Sequence, residues 1–208
     1  MRTIFQLAVL TLLGGVLMVT DTLAADKPKP LQPAQTQPDG TPLSLTIEGT
    51  SQYLLDVTAK SEDELKKGFA ADNFPNPPKV DLKLVLKNTG DKPVNVWIGG
   101  DPVTVDLELK GKGVVKVTPQ LMMTQEFRSP KSVEIAAGKT VELPLKALSG
   151  GKRGMGQYVY WTQAGEYELI ATLNTAVSPA PKGADAADDG FGKVRVASPA
   201  FKLTVKAK

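Results

Sequence analysis

From Leu43 to Val205 the chain alternates apolar and polar residues with a period of two, in short runs separated by turn-forming residues. That period puts successive side chains on opposite faces of an extended backbone, so each run predicts a half-buried strand. Leu43, Leu45 and Ile47 alternate with Ser44, Thr46 and Glu48, and after Gly49 the series Tyr53, Leu55, Val57 continues the pattern. Val80, Leu82, Leu84 and Leu86 face one way while Asp81, Lys83 and Lys87 face the other. The turn Asn88-Thr89-Gly90-Asp91-Lys92, with Gly90 free to take positive φ, predicts a hairpin returning through Val94, Val96 and Ile98. Val103, Val105, Leu107 and Leu109 come next, and Gly111-Lys112-Gly113 turns the chain into Val114 to Val117. Val133 and Ile135, the turn Ala137-Gly138-Lys139, and Val141, Leu143 and Leu145 predict a second hairpin. Tyr167, Leu169, Ala171 and Leu173 form a strand, and after a long loop Phe201, Leu203 and Val205 form the last.

One segment departs from this period. Ser61-Glu62-Asp63-Glu64 is a capping box, with Glu64 three residues after the N-cap Ser61, and it predicts a short helix from Glu62 to Ala70 that buries Leu65 and Phe69. Pro75, Pro77 and Pro78 then return the chain to extended backbone. Roughly nine strands with apolar faces cannot be satisfied by one open sheet, so the expected fold is an all-β, two-sheet β-sandwich with one short helix.

Gln163-Ala164-Gly165-Glu166-Tyr167-Glu168-Leu169 resembles the strand-F signature of immunoglobulin domains, in which a Tyr lies two residues before the second Cys. Leu169 stands at the Cys position and Gln163 replaces the usual Asp. Tyr167 is then the tyrosine-corner residue, its hydroxyl bonding upstream backbone and its ring in the core. Three landmarks in order, Leu84 to Val94, Val133 to Val141 and Gly165 to Leu169, resemble exported bacterial immunoglobulin-like domains related to the BsuPI proteinase-inhibitor family. The pair Tyr160-Trp161-Thr162 and Gly165-Glu166-Tyr167 is also similar to a block shared by secreted proteins of environmental bacteria. The resemblance spans about Val80 to Leu173, and what it implies is the sandwich fold and, more distantly, inhibition of a proteinase. The helix and the Ala176 to Gly192 loop lie outside it.

The N-terminus sets the expected compartment. Met1-Arg2 precedes an apolar run from Ile4 to Val19, and Thr22-Leu23-Ala24 supplies small residues at the −3 and −1 positions of a secretory cleavage site. Residues 1–24 are therefore read as a signal peptide, and the localisation as secreted or periplasmic. Residues 25–42, with prolines at 28, 30, 33, 38 and 42, read as an extended tether, and residues 43–208 as the sandwich. The chain has neither Cys nor His. No disulfide framework, zinc site or Cys nucleophile can exist, and the core alone must hold the fold. The net charge of +3 comes from interleaved Lys and Asp/Glu, unlike the clustered basic footprint of a nucleic-acid binder.

Candidate chemistry is sparse. Ser149-Gly150-Gly151-Lys152 matches S-x-x-K, but the two glycines oppose the helical turn that this chemistry needs, and a flexible inter-strand loop is expected. In the same loop Arg153 is the residue marked for binding. Asp185, Asp188 and Asp189 gather carboxylates in a loop where calcium or solvent are the alternatives. Trp97 lies on the face of its strand opposite Val94 and Val96, and Tyr158 and Tyr160 share a face. Such aromatics form either a sugar- or protein-binding platform or a core beneath the helix and the extra loops. The expectation is an exported, non-catalytic interaction module of the cell envelope, with no cofactor and no metal. Its partner is an unknown protein or an envelope polysaccharide. The candidate surfaces are Trp97, Tyr158 and Tyr160 for a polysaccharide, and Ser149 to Gln157 with Arg153 for a protein or proteinase.

Overall fold

The computed structural model describes residues 40–55, 60–70, 73–123 and 125–208, so the expected signal peptide, most of the tether and Val57 lie outside the described residues. Two sheets face each other. The first contains β1 (Leu43–Gly49), β3 (Lys79–Asn88) and β8 (Thr140–Ala147), antiparallel in the order β1-β3-β8. The second is built on β11 (Gly165–Ser178), which carries β13 (Phe201–Lys206) and β12 (Gly192–Ala197), and also β5 (Thr104–Lys110) and β4 (Val94–Gly99). It extends through β2 (Gln52–Leu54) on β13 and β7 (Lys131–Ile135) on β4. From β5 it runs on to β9 (Ser149–Lys152), β10 (Met155–Trp161) and β6 (Val114–Val117). This is an immunoglobulin-like two-sheet sandwich with one α-helix, α1 (Glu62–Ala70). No helix among the described residues is long and apolar enough to cross a membrane.

The alternation explains which faces meet. Leu45, Leu84 and Leu86 of the first sheet pack in one core with Leu107, Tyr167, Leu169, Leu173, Val196 and Leu203 of the second. Each fully buried Leu or Val contributes about 1.5–3 kcal/mol relative to exposure. The opposite face of the first sheet is solvated: Lys83 lies 2.6 Å from Glu142 and 3.4 Å from Glu48, and Lys146 lies 2.8 Å from Asp81. Such surface pairs add little to stability.

Neither expected hairpin forms. β3 pairs with β1 and β8, whereas β4 pairs with β7 and β11, so the 89–93 turn crosses from one sheet to the other. The 136–139 turn makes the reverse crossing from β7 to β8. Alternation is satisfied equally by a hairpin within a sheet and by an arch between sheets, because both leave the apolar faces inward. The two arches meet at Asn88, which is fully buried. Its side-chain amide donates to the carbonyls of Lys92 (2.7 Å) and Ile135 (2.9 Å), and its Oδ1 accepts from Gly90 N (2.9 Å). Gly90 does not take the positive φ expected of it; a Cβ there would lie 3.0 Å from Pro42. Thirteen strands are formed among the described residues. β12 falls in the stretch expected to be loop, and β11 runs on to Ser178.

Two local expectations hold. Ser61 N donates to the Glu64 carboxylate (2.9 Å) and Glu64 N to Ser61 Oγ (3.3 Å), which closes the capping box. The Ser61 backbone N–H, followed by the Ser61 hydroxyl, holds the Glu64 carboxyl below its ordinary range. Tyr167 makes the corner: its hydroxyl reaches the carbonyls of Gln163 (2.7 Å) and Lys112 (2.8 Å). The helix only half follows expectation. Leu65 is buried on Val115, Val117 and Tyr160, but Phe69 stays exposed at the edge, its ring 5.7 Å from that of Phe74.

Candidate functional site

The aromatics singled out in the sequence are separated by the fold. Trp97 is on the outer face of β4 as expected, but the loop after β11 folds over it and the Phe191 ring lies 5.1 Å away, leaving Trp97 buried. It becomes one wall of a cleft of about 440 Å³ shared with Asn174, Asp185, Lys193 and Arg195. Tyr160 is buried under α1 and donates to the Pro75 carbonyl at 2.7 Å; burial, with Tyr158 beside it, pushes its phenol up to about 12. Tyr158 keeps a partly exposed ring, in edge contact with Phe74. Val159 and Trp161, on the other face of β10, belong to the main core. The three side chains therefore make no common flat platform.

Ser149-Gly150-Gly151-Lys152 is not a loop but strand β9, hydrogen-bonded to β10 with Ser149 opposite Tyr158 and Lys152 opposite Met155. Residues three apart on a strand point to opposite faces, so Ser149 and Lys152 do not meet as they would on a helix. A Cβ on Gly150 would overlap the Val105 carbonyl, and one on Gly151 the Met155 carbonyl. The glycines let β9 press against β5, where Val105 faces Gly151. Gln157 completes the seam: its Oε1 accepts from Leu107 N at 2.6 Å in the buried interior. Asp185, Asp188 and Asp189 are all exposed, and no group of three carboxylates among the described residues is placed to hold a metal.

What the β9–β10 hairpin does bring together is its turn, Arg153-Gly154, and the connection between β6 and β7. Gly156 N donates to the Pro119 carbonyl (2.9 Å) and Leu121 N to the Gly154 carbonyl (3.1 Å), which seats the first part of that connection on the hairpin. Asp101, in the turn after β4, ties down the second part. Its N–H donates to the Arg128 carbonyl at 2.9 Å. Its enclosed carboxylate accepts from Arg128 N at 3.1 Å and Arg128 Nε at 2.8 Å, with Arg153 Nη1 at 3.3 Å. The Arg153 guanidinium also lies over the Phe127 ring, 5.9 Å from its centroid. A cleft of about 430 Å³ opens between Asp101, Met122, Met123 and the glycines of the hairpin.

Around this ionic centre stand Leu121, Met122, Met123, Phe127 and Met155, all exposed. Only Leu54 and Phe69 are comparably large, apolar and exposed elsewhere among the described residues. Leu121, Met122 and Met123 line one cleft, with Leu121 and Met123 on the side where a Cβ at Gly156 or Gly154 would stand and Phe127 against Arg153, whereas Met155, between those glycines, projects from the other face of β10. Sequence reasoning found Arg153 but missed its apolar neighbours. The available signal was Leu121-Met122-Met123, three consecutive large apolar residues without alternation between Pro119 and Pro130.

The Arg128 backbone N–H, and after it the two guanidinium groups, hold the Asp101 carboxyl below its ordinary value of 3.8. A depressed folded value means the stabilisation is complete above the unfolded value and is lost as pH falls through the folded one. Unfolding of the wild type and Asp101→Asn should therefore differ by a constant amount above about pH 5, and the difference should close as acid protonates Asp101. A gap that widened in acid would contradict the ionic seating of this connection.

No family model matches the chain, and no curated protein matches it. Among solved structures the chain is similar to the ASH / PapD-like domain of human CEP192 (PapD-like domain 7), at 11% identity and a TM-score of 0.25, covering 88% of this chain and 97% of that one.

Proposed function

We propose that the protein is an exported, non-catalytic immunoglobulin-like interaction module that docks a protein partner through the face formed by residues 119–123, residues 125–130 and the β9–β10 turn. The observation that carries this reading is the gathering of Leu121, Met122, Met123 and Phe127 around Asp101 and Arg153, exposed and rimmed by charge. Methionine is flexible and polarizable, and a Met-rich surface adapts its shape to a partner. Arg128, Lys152 and Arg153 outnumber Glu126 in these segments and Asp101 beside them, so a partner with apolar side chains flanked by carboxylates is complementary. Export rests on the Met1 to Ala24 pattern.

Two other readings have weaker support. A proteinase inhibitor would present an extended free segment, but between Ser149 and Gln157 only Arg153 and Gly154 lie outside paired strands. A polysaccharide binder would stack sugar rings on exposed aromatics, and Phe191 occupies that position over Trp97.

The test is capture from envelope and secreted fractions by the full chain tagged at its C-terminus, beside Met122→Glu/Phe127→Ser. A defined protein held by the wild type and weakened ~10-fold or more in the double variant is expected, with the melting temperature unchanged. A partner kept by that variant but lost in a Trp97→Ala protein that still melts at the wild-type temperature would replace this reading with the aromatic one.

A further inference from the structure

The docking face also holds two of the three sulfurs in the described part of the chain. The sequence has no cysteine and five methionines; Met1 and Met18 lie outside the described residues, and the other three are Met122, Met123 and Met155. Each is open to solvent: relative exposure is 103% for Met122, 64% for Met123 and 44% for Met155. The placement of Met122 and Met123 is coupled, because Leu121 bonds to Gly154 and Met123 lies across Gly154 with its sulfur against that residue, whereas Met155, next in the strand, projects from its other face. Methionines that only fill a core would be buried, and none of these three is.

Resting on the docking reading above, we infer that this face is a peroxide-sensitive switch: oxidation of Met122 and Met123 to sulfoxides turns it from apolar to polar and releases the partner. In each step the thioether sulfur attacks one peroxide oxygen. The O–O bond breaks, an S–O bond forms, sulfur gives up two electrons, and the second oxygen takes the proton of the first and leaves as water. The product is a polar, chiral side chain in place of an adaptable apolar one, and it is reversible by methionine sulfoxide reductases. With no thiol in the chain, no faster sulfur competes for the oxidant. The order of exposure predicts the order of reaction, Met122 first and Met155 last. Oxidation leaves the core untouched, since no buried sulfur exists among the described residues.

The experiment treats the full chain with hydrogen peroxide and follows oxygen uptake peptide by peptide. Fluorescence of anilinonaphthalene sulfonate, an apolar probe, is read in parallel with partner capture. The comparison proteins are Met122→Leu/Met123→Leu/Met155→Leu, which stays apolar and cannot be oxidised, and the corresponding triple Gln variant, which imitates the sulfoxide. Probe signal and capture should both fall ~10-fold in the oxidised wild type, persist in the treated Leu variant, and be low in the untreated Gln variant. Incubation with the reductases should restore them. Capture that survives full oxidation, in a protein whose Met122→Glu/Phe127→Ser variant has lost the partner, overturns the switch and leaves the docking reading intact. Capture indifferent to both treatments overturns both. Equal loss in the treated Leu variant also overturns the switch, because the target of oxidation would then lie elsewhere.

Discussion

Replacing Asn88 with Ala should cost about 3 kcal/mol of folding stability, although the residue closes a strand beside a surface turn. The side chain satisfies three backbone groups from two connections: the carbonyls of Lys92 and Ile135, and the N–H of Gly90. Its own backbone binds the 136–139 turn, with Asn88 N donating to the Lys139 carbonyl and Gly138 N to the Asn88 carbonyl, both at 3.0 Å. Alanine keeps the backbone pair but strands the Ile135 carbonyl in the interior, where an unmet acceptor costs about 1–3 kcal/mol. The other two bonds are partly buried and add to that. Thr89→Ala, one residue on and exposed, should change stability by less than about 0.5 kcal/mol. Denaturant unfolding of the two variants makes the comparison, and equal midpoints would contradict the role given to Asn88. Asn88→Asp adds a second reading. It keeps the acceptor for Gly90 but sets an anion against two carbonyl oxygens, which raises the folded pKa of the new carboxyl. Its deficit should therefore grow as pH rises above the ordinary carboxylate range and shrink in acid.

The second large effect is expected at Gly150. Gly150→Ala should destabilise by about 3 kcal/mol or more and weaken partner capture with it. Gly150 does not adopt positive φ, so its backbone would accept any residue; what forbids a side chain is volume. The new methyl group would overlap the Val105 carbonyl, a backbone atom of a core strand that cannot swing aside. Relief requires β9 to withdraw from β5, and the Arg153-Gly154 turn would move with it. Gly138→Ala is the matched control. There φ is +71° and nothing lies within 4 Å of the added carbon, so the cost is conformational only, about 1 kcal/mol. Thermal unfolding and capture measured on both proteins separate the two causes. A Gly150→Ala protein as stable as the wild type would mean that β9 is not seated against β5.

The candidate face was legible only in part. Arg153 stood out because a basic residue among glycines is visible in a window of a few positions. Met122, Met123 and Phe127 did not, since a large apolar side chain is the same letter whether it fills a core or faces water. Their exposure follows from Asp101, more than twenty residues earlier, holding Arg128 and drawing the connection against the hairpin. Trp97 shows the converse. Its outward position followed from the period of β4, but its burial depends on Phe191, far along the chain.

The features that the residues determined by themselves are those whose physics is local. A period of two set which side chains of each strand share a face, Ser61 and Glu64 capped the helix between them, and Tyr167 reached a carbonyl four residues back. The absence of Cys and His removed whole classes of chemistry without any geometry at all. The tertiary structure alone decided which strands pair, that two turns are arches between sheets, that Gly150 is a point of contact and not a hinge, and that Met122 and Met123 stand exposed together. Pairing between strands distant in sequence is chosen by how completely both apolar faces are covered and every backbone group is bonded. Many pairings share the same alternating pattern, and only the assembled core distinguishes among them.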